Sequence, residues 1–144
     1  MIRAIEAEDH PDDPMVADSA LEGMRKSLRH FDALSFDCVW FLIAFYHDQP
    51  AGLAILTRVP KLDARLGFLY LDELHVIRKF RRHRIGKALL QRCTKLVEEL
   101  GLAGIRLLAR IDNVPARRLH ESAGFRRNET MLYQSRFDHS DAQP

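Results

Sequence analysis

The basic segment from Arg78 to Leu90, RKFRRHRIGKALL, is the part of the chain whose residue types most clearly suggest chemistry. Six of its first ten residues are lysine or arginine, and none of the ten is acidic. The segment follows an apolar, strand-like stretch and leads into a pattern typical of an amphipathic helix. Backbone N–H groups at a helix start, the helix dipole and side-chain cations together favour a polyanion. The segment therefore predicts an anion site, for either a cofactor pyrophosphate or a nucleic acid.

The charge distribution favours a focused anion site over a broad nucleic-acid surface. The chain of 144 residues has a net charge of +2, whereas residues 78–87 alone carry +6. The difference between the two values leaves −4 for the rest of the chain, so the positive charge is local. Aromatic residues are not interleaved with the basic ones beyond Phe80. We therefore expect nucleic acid to be an improbable ligand.

Composition also bounds the class of protein. A chain of 144 residues is most simply one domain with a hydrophobic core of its own. Cys38 and Cys93 are too few for a disulfide framework or a metal set, and both stand in apolar patterns, which predicts buried free thiols. The acidic N-terminal residues contain no secretory signal pattern, and no apolar run reaches membrane length. A cytoplasmic protein without membrane association is expected.

Hydrophobic periodicity predicts the element order β-α-β-β-β-α-β-α-β. The predicted strands are Met1–Ala7, Val39–Tyr46, Ala51–Val59, Leu66–Val76, Ile105–Arg110, and a final strand or hairpin over Phe125–Arg127 and Thr130–Phe137. The predicted helices are Met15–Phe31, Ile85–Leu100 and Val114–Ser122. This order is typical of an α/β protein with a mixed β-sheet flanked by helices. The strand before the basic segment, the helix after it and the next strand should form a right-handed βαβ unit with parallel strands.

Two short motifs on this layout resemble those of the GCN5-related N-acetyltransferase (GNAT) superfamily. That family's cofactor loop has Arg or Gln, two residues, Gly, one residue, and Gly or Ala; here it reads Arg81-Arg82-His83-Arg84-Ile85-Gly86. Downstream, the family often has Asn, two residues, Ala, and a later Gly-Phe; here these are Asn113-Val114-Pro115-Ala116 and Gly124-Phe125. The resemblance covers nearly the whole chain. It implies one GNAT-like acetyltransferase domain over residues 1–137, followed by a polar tail, 138–144.

The resemblance implies acetyl-CoA as co-substrate and a primary amine, of a small molecule or a peptide, as acceptor. The residues expected to bind the cofactor are Leu74, His75, Val76, Arg81, Arg82, His83, Arg84, Ile85, Gly86, Lys87, Ala88, Asn113 and Ala116. The helix start would offer unpaired N–H groups to the pyrophosphate, and the arginines would add charge-assisted contacts. Gly86 would let the backbone approach the pyrophosphate closely. The pantetheine would pair with the backbone where strand Leu66–Val76 ends.

Two positions depart from the family's usual residues. Arg84 stands where the family usually has glycine, and its Cβ favours a helical or bridge-like backbone over a positive φ. His120 stands where the family commonly has a tyrosine that protonates the leaving thiolate. An imidazolium could donate that proton, a neutral imidazole could donate one N–H or act as the base, and a packing role for His120 is equally compatible with the sequence.

The catalytic base is sought on strand Leu66–Val76, because transfer to an amine requires removal of a proton from an ammonium group. Asp72, Glu73 and His75 interrupt the apolar pattern of this strand. Strict alternation would place Glu73 and His75 on one face and Asp72 on the other. Glu73 is the preferred base, His75 could assist it, and a surface role is preferred for Asp72. A backbone N–H near Leu74 to Val76 could hold the oxyanion.

Other classes of function remain weaker alternatives. The remaining histidines have no metal-ligand spacing, so no metal site is predicted. Arg84 and His120 keep open a non-catalytic acyl-CoA-binding regulator on the same fold, which would bind the cofactor without turning over an amine. Dimerisation through Thr130–Phe137 or a sheet edge is compatible with the sequence. Acidic residues near the N-terminus favour a cationic amine as the acceptor, such as a polyamine, an aminoglycoside-like compound or an arylalkylamine.

Overall fold

A mixed sheet of four strands is the centre of the fold in the computed structural model, which describes residues 1–30, 38–61 and 67–135. The strands, in the order in which they lie side by side, are β1 (Val39–Tyr46), β2 (Gln49–Val59), β3 (Phe68–Val76) and β4 (Ile105–Leu107). β1 to β3 are antiparallel, and β3 and β4 are parallel. The predicted hairpin, the mixed sheet and the parallel βαβ unit are therefore confirmed.

The helices are α1 (Ile2–Asp9), α2 (Pro14–His30), α3 (Ile85–Glu99) and α4 (Val114–Ser122). The prediction of a strand over Met1–Ala7 is wrong, because α1 occupies this segment. Its apolar residues Ile2 and Ile5 also fit a helical spacing, and the alanines and glutamates between and after them favour a helix. Ile5 is buried while its neighbours are more exposed, as expected for one face of a helix. The described chain thus begins α-α rather than β-α.

The C-terminal strand prediction is also wrong over the described residues. From Phe125 to Ser135 the chain has no regular secondary structure, and Arg136 and Phe137 lie outside the described ranges. The side chains of Met131, Leu132 and Tyr133 are exposed. Strand propensity reflects packing against a neighbouring strand, and the segment has no such neighbour among the residues that are described.

The main core lies between α3 and the sheet. Leu56 and Leu69 from the sheet and Leu90 and Cys93 from α3 are completely buried. The predicted amphipathic pattern of this helix is confirmed by one apolar stripe. Leu100 in the stripe is partly buried, and its other members are buried: Ile85, Leu89, Cys93, Leu96 and Val97. A Cβ on Gly52 of β2 would lie 3.0 Å from side-chain atoms of both Ile85 and Leu89, so α3 sits very close to the sheet.

The boundaries of α3 and α4 follow local signals in the sequence. α3 ends before Gly101, which has a φ of +63°, as expected for the left-handed residue that follows a helix. α4 has Pro115 in its first turn, and the Asn113 side chain accepts a hydrogen bond from the Ala116 N–H at 3.2 Å. These ends decide where the residues of the candidate site lie.

Candidate active site

A cleft opens between β3 and β4 because the two strands pair only over a short stretch. Leu69 to Leu71 pair with Ile105 to Leu107, and beyond this point β4 ends while β3 continues to Val76. A cavity of about 220 Å³ lies in the gap. Its lining residues come from β3, from the chain after β4 and from α4: Leu71, Asp72, Leu74, Leu107, Leu108, Ala109, Arg110, Asn113, Ala116 and His120. The cleft therefore brings together predicted site residues that are far apart in the sequence.

The open edge of β3 carries backbone groups that point into the cleft. The Ile77 N–H donates to Ala51 O at 3.0 Å, towards β2. Because peptide groups alternate along an antiparallel strand, His75 also turns its peptide groups towards β2, whereas Leu74 and Val76 turn theirs towards the open edge. Of the three backbone positions predicted to meet the pantetheine, Leu74 and Val76 thus face the open edge, where the Val76 carbonyl accepts from Arg81 Nε at 2.9 Å and the Val76 N–H and both groups of Leu74 are available.

A β-bulge at Asp72 changes which side chains share a face of β3. Glu73 pairs with Ile55 of β2 and Leu71 pairs with Leu56, so Asp72 is the additional residue. The expectation that Asp72 and Glu73 face opposite sides is wrong, since the Asp72 carboxylate accepts a hydrogen bond from the Thr57 hydroxyl. Thr57 shares a face of β2 with Ile55, the partner of Glu73. The adjacent acids Asp72 and Glu73 interrupt the apolar pattern of the strand here, but they do not by themselves specify a bulge.

The three polar residues of β3 have different surroundings. Asp72 lines the cavity, whereas Glu73 does not. Both residues are exposed. His75 turns away from the cavity towards α1, where its Nε2 lies 3.7 Å from an oxygen of Glu8. The His75 side chain is only 16% exposed. The cavity therefore favours Asp72 over both other residues, and exposure leaves Glu73 more accessible to an acceptor than His75.

His120 faces the cavity from α4 in a poorly solvated position. Its Nδ1 is buried and has no hydrogen-bond partner among the described residues. Burial lowers the pKa of His120 below its usual value, because desolvation disfavours the imidazolium. The ring lies edge-on to Phe125, with 5.9 Å between the ring centroids. At neutral pH this histidine is neutral, so it suits hydrogen bonding or proton acceptance better than donation as an imidazolium.

The anion loop, residues 78–87, presents a run of unpaired backbone N–H groups. From Arg82 to Lys87 these groups have no backbone acceptor within the described ranges, whereas the Ala88 N–H donates to Arg84 O at 3.0 Å inside the helix. Arg82 and Arg84 have φ values of 69° and 61°. The expectation that Arg84 avoids a positive φ is wrong. The turn into α3 needs this conformation, at a cost of about 1 kcal/mol or more without glycine.

The side chains of the anion loop divide into two groups. Arg81 Nε donates to Val76 O at 2.9 Å, and His83 Nδ1 lies 2.9 Å from Arg81 O and 3.2 Å from Phe80 O, so these two side chains hold the loop in shape. Arg82, Arg84 and Lys87 are exposed. The predicted cationic contacts to a phosphate are therefore best assigned to Arg82, Arg84 and Lys87.

Gly86 has a packing role that the sequence did not indicate. A Cβ at this position would lie 2.9 Å from Leu119 Cδ2 of α4. The absence of a side chain brings the first turn of α3 against α4, next to His120. Ile85 is buried in the same turn and anchors the helix start on the core. The anion loop and the cavity are thus held side by side.

Comparison with known proteins identifies the class to which this fold and cleft belong. The arrangement is that of an acetyltransferase: residues 2–125 match the acetyltransferase (GNAT) family. The chain belongs to this family of acetyl-CoA-dependent acyltransferases. The predicted family, fold class and enzyme class are confirmed. No curated protein sequence matches the chain significantly.

Several solved acetyltransferases share the fold at low sequence identity. Aminoglycoside N-acetyltransferase AAC(6′)-Iy with a CoA bisubstrate analogue has a TM-score of 0.70 and 17% identity, over 94% of this chain and 89% of that chain. The same enzyme in complex with CoA has a TM-score of 0.65 and 19% identity, over 81% and 91%. An aminoglycoside acetyltransferase from an uncultured soil metagenomic sample, in complex with sisomicin, has a TM-score of 0.68 and 16% identity, over 76% and 72%.

The described part of the chain has neither a metal-binding cluster nor a membrane-spanning helix. It contains no group of three or more His, Cys, Asp or Glu side chains placed to hold a metal ion. Within the same ranges, no helix has the length and apolar character needed to cross a membrane.

Proposed function

We propose that the protein transfers the acetyl group of acetyl-CoA to a primary amine by direct reaction in a ternary complex. The observation that carries this proposal is the order of three features along β3. The cavity beside Asp72 and His120, the open edge of β3 at Leu74 and Val76, and the unpaired N–H groups of the anion loop follow one another in the direction of the strand. One extended, anionic thioester cofactor would use all three features.

The cofactor would lie along β3 from the anion loop to the cavity. Its pyrophosphate would accept hydrogen bonds from the N–H groups between Arg82 and Lys87, at the positive end of the α3 dipole. The pantetheine amides would pair with Leu74 and Val76, and Asn113 would stand alongside. Val76 and Asp72 are separated by roughly 13 Å at a rise of about 3.3 Å per residue. An extended pantetheine arm suits such a span.

The reaction begins when a base removes a proton from the acceptor's ammonium group. We assign this task to Glu73, which is exposed on the face of β3 that lies away from α3, and we assign attraction of the ammonium to Asp72. Thr57 donates to Asp72 and fixes it at the bulge, whereas no hydrogen bond to Glu73 exists among the described residues. The freed amine nitrogen attacks the thioester carbonyl and forms the C–N bond, the C–S bond breaks, the nitrogen releases its remaining extra proton to solvent, and the sulfur leaves as a thiolate.

His120 would stabilise the departing sulfur from the opposite wall. Its lowered pKa makes it neutral at neutral pH, so it would donate a hydrogen bond from one ring N–H rather than a full proton. The oxyanion of the intermediate would accept from a backbone N–H at the open edge of β3, near Leu74. No acyl-enzyme forms, because Cys93 is buried in the core and burial raises the pKa of its thiol to about 11.

The acceptor is a small-molecule or peptide amine. The carboxylates of Asp72 and Glu73 favour a cationic nitrogen, and the structural neighbours named as aminoglycoside acetyltransferases support aminoglycoside-like amines as the first compounds to screen. A cytoplasmic location would give such an enzyme access to acetyl-CoA. The proposal makes residues 1–137 one catalytic domain; residues 138–144 lie outside the described ranges.

Isothermal titration with acetyl-CoA tests the cofactor site. Lys87→Glu should weaken binding at least about tenfold, because it reverses a charge at the start of α3 beside the proposed pyrophosphate. Lys95→Glu is the matched control, since it makes the same change on the same helix about two turns further along; its affinity should stay within about twofold. Absent binding by the unaltered protein, with salt-sensitive binding of a DNA oligonucleotide instead, would contradict the proposal.

Steady-state kinetics with an amine panel test the catalytic assignment. Glu73→Gln should lower kcat by about 10²–10⁴-fold while acetyl-CoA affinity is retained, because only proton removal is lost. Asp72→Asn should mainly raise KM for the amine. If Asp72→Asn abolishes kcat and Glu73→Gln does not, the two roles are exchanged. Acetyl-CoA binding without turnover of any amine would favour the non-catalytic regulator.

A further inference from the structure

Glu8 of α1 contacts the start of the anion loop, although the two are far apart in the sequence. Both of its carboxylate oxygens accept from the Arg78 N–H at 3.0 Å, across 70 positions of the chain. Arg78 opens the short helical turn Arg78–Phe80, which is the first part of the anion loop. The Glu8 side chain is 21% exposed and the neighbouring His75 side chain is 16% exposed, whereas Arg78 is exposed, so the contact is only partly shielded from solvent. A charge-assisted hydrogen bond is stronger than one between neutral groups.

The surroundings of the contact between Glu8 and Arg78 show how α1 is joined to the anion loop. A cavity of about 520 Å³ separates α1 from the adjoining end of the sheet. Its walls are Met1, Ala4 and Glu8 on one side and Gln49, Pro50, Ile77, Arg78 and Lys79 on the other. The junction is therefore open beside Glu8 rather than densely packed. The Glu8 carboxylate bridges the gap.

The charges at the junction are arranged around Glu8. His75 Nε2 is buried without a hydrogen-bond partner in the described residues and lies 3.7 Å from Glu8 Oε2. Lys79 is directed elsewhere, because its Nζ donates to Gln49 Oε1 at 3.0 Å and lies over the Phe80 ring. The Glu8 carboxylate thus faces two groups, the Arg78 N–H and the His75 ring. Of these two, the Arg78 N–H lies at hydrogen-bonding distance.

We infer that Glu8 is a positioning residue for cofactor binding, which acts by fixing the Arg78 N–H and hence the start of the anion loop. The inference rests on the proposed function, because it requires that the loop binds the acetyl-CoA phosphates. Fixing Arg78 sets the turn Arg78–Phe80, which is followed by the left-handed residues Arg82 and Arg84 and by the run of unpaired N–H groups. Docking of α1 and affinity for acetyl-CoA are therefore linked.

Acetyl-CoA titration of Glu8 variants provides the test. Glu8→Ala should weaken acetyl-CoA binding about tenfold and raise its KM equally, while kcat at saturation stays within about twofold. Glu8→Gln should lose less, because its amide oxygen still accepts from Arg78. Glu6→Gln is the matched control: Glu6 is on the same helix, lies 4.0 Å from His10 and makes no contact with the loop among the described residues. Its affinity should equal that of the unaltered protein.

A second pair of variants removes the donor instead of the acceptor. Arg78→Pro deletes the N–H, and proline is tolerated at the first position of a helical turn. Ile77, with φ −54° and ψ 134°, already has the extended backbone that precedes proline. Arg78→Ala removes the same side chain but keeps the N–H. Arg78→Pro should bind acetyl-CoA about tenfold more weakly than Arg78→Ala, and this difference should vanish when Glu8→Ala is also present.

The outcomes separate the inference from the proposed function. Unchanged acetyl-CoA affinity in Glu8→Ala and in Arg78→Pro relative to Arg78→Ala, with binding intact in the unaltered protein, would overturn the inference alone. A lower melting temperature of Glu8→Ala with unchanged affinity would likewise reduce Glu8 to an anchor of α1. Failure of the unaltered protein to bind acetyl-CoA would overturn the proposed function and the inference together.

Discussion

The region from β3 to α4 and the region formed by α1 and α2 are held in place by different forces. In the first, α3 packs on β2 and β3 through fully buried side chains, and Gly86 brings α4 against the start of α3. In the second, α1 contacts α2 and reaches the end of the sheet through Glu8, beside an open cavity. The first region is thus fixed by many close-packed side chains, whereas the contact between α1 and the anion loop is made by one carboxylate.

The difference in packing between the two regions indicates which parts of the candidate site are rigid. The cavity and the open edge of β3 belong to the densely packed region, so their geometry is set by the core. The beginning of the anion loop is shared between the two regions, because Arg78 follows β3 directly but donates its N–H to α1. Changes in the two regions should consequently have effects of different size.

Truncation of a core side chain should give the largest effect. Leu90→Ala in α3 should lower the free energy of unfolding by about 2–5 kcal/mol, since Leu90 is completely buried and its removal leaves a cavity. Met15→Ala in α2, where the side chain is 75% exposed, should change it by less than about 0.5 kcal/mol. Urea unfolding of both variants measures the contrast. Equal losses would mean that the two regions are packed alike.

Labelling of the two cysteines compares a buried position in α3 with a half-buried position beside β1, and it needs no mutation. Cys93 is completely buried and its pKa is raised to about 11, so its thiolate is scarce at pH 8, whereas Cys38 beside β1 is half-buried. Cys38 should react with a thiol reagent at least about tenfold faster than Cys93, because the thiolate is the nucleophile. Timed labelling followed by peptide mass analysis measures the rates. Faster labelling of Cys93 would contradict a closed core beneath α3.

The smallest effect concerns pH and His120. Because burial lowers the pKa of His120 in the folded protein below its usual value of 6.5, the unfolded state binds more protons between these two values. Stability should therefore rise with pH through this window and be lost as the pH falls below 6.5. Partial exposure keeps the contribution below about 1 kcal/mol. His120→Gln should flatten this part of the stability profile; an unaltered acid slope would contradict the buried position.

Much of the fold could be predicted because periodicity reports burial directly. The alternation of apolar residues in β1 to β3 and the apolar stripe of α3 could be recognised in the sequence, since each of these elements has one face against the core. The prediction of a strand over Met1–Ala7 is wrong because a segment of seven residues is too short to distinguish the two periods. The segment around Tyr133 has the composition of a strand, but its pairing depends on a neighbour that no local pattern specifies.

The candidate site could be predicted in part for the same reason. The anion loop and Asn113 were recognisable from charge, spacing and capping. The β-bulge at Asp72 was not, because a shift of register is decided by how β3 pairs with β2. The contact from Glu8 to Arg78 joins residues far apart in the chain, and no spacing rule relates them.

The sequence by itself determined the family, the mixed sheet, the helical stripe of α3 and the concentration of cations at its start, because these depend on residue type and local order. The tertiary structure alone decided that Asp72 lines the cavity, that Arg81 donates back to Val76 and that Leu119 packs against Gly86. It also decided that Glu8 holds the loop. The physical reason is that direction, register and approach of side chains are set by packing between distant elements, which a linear pattern does not encode.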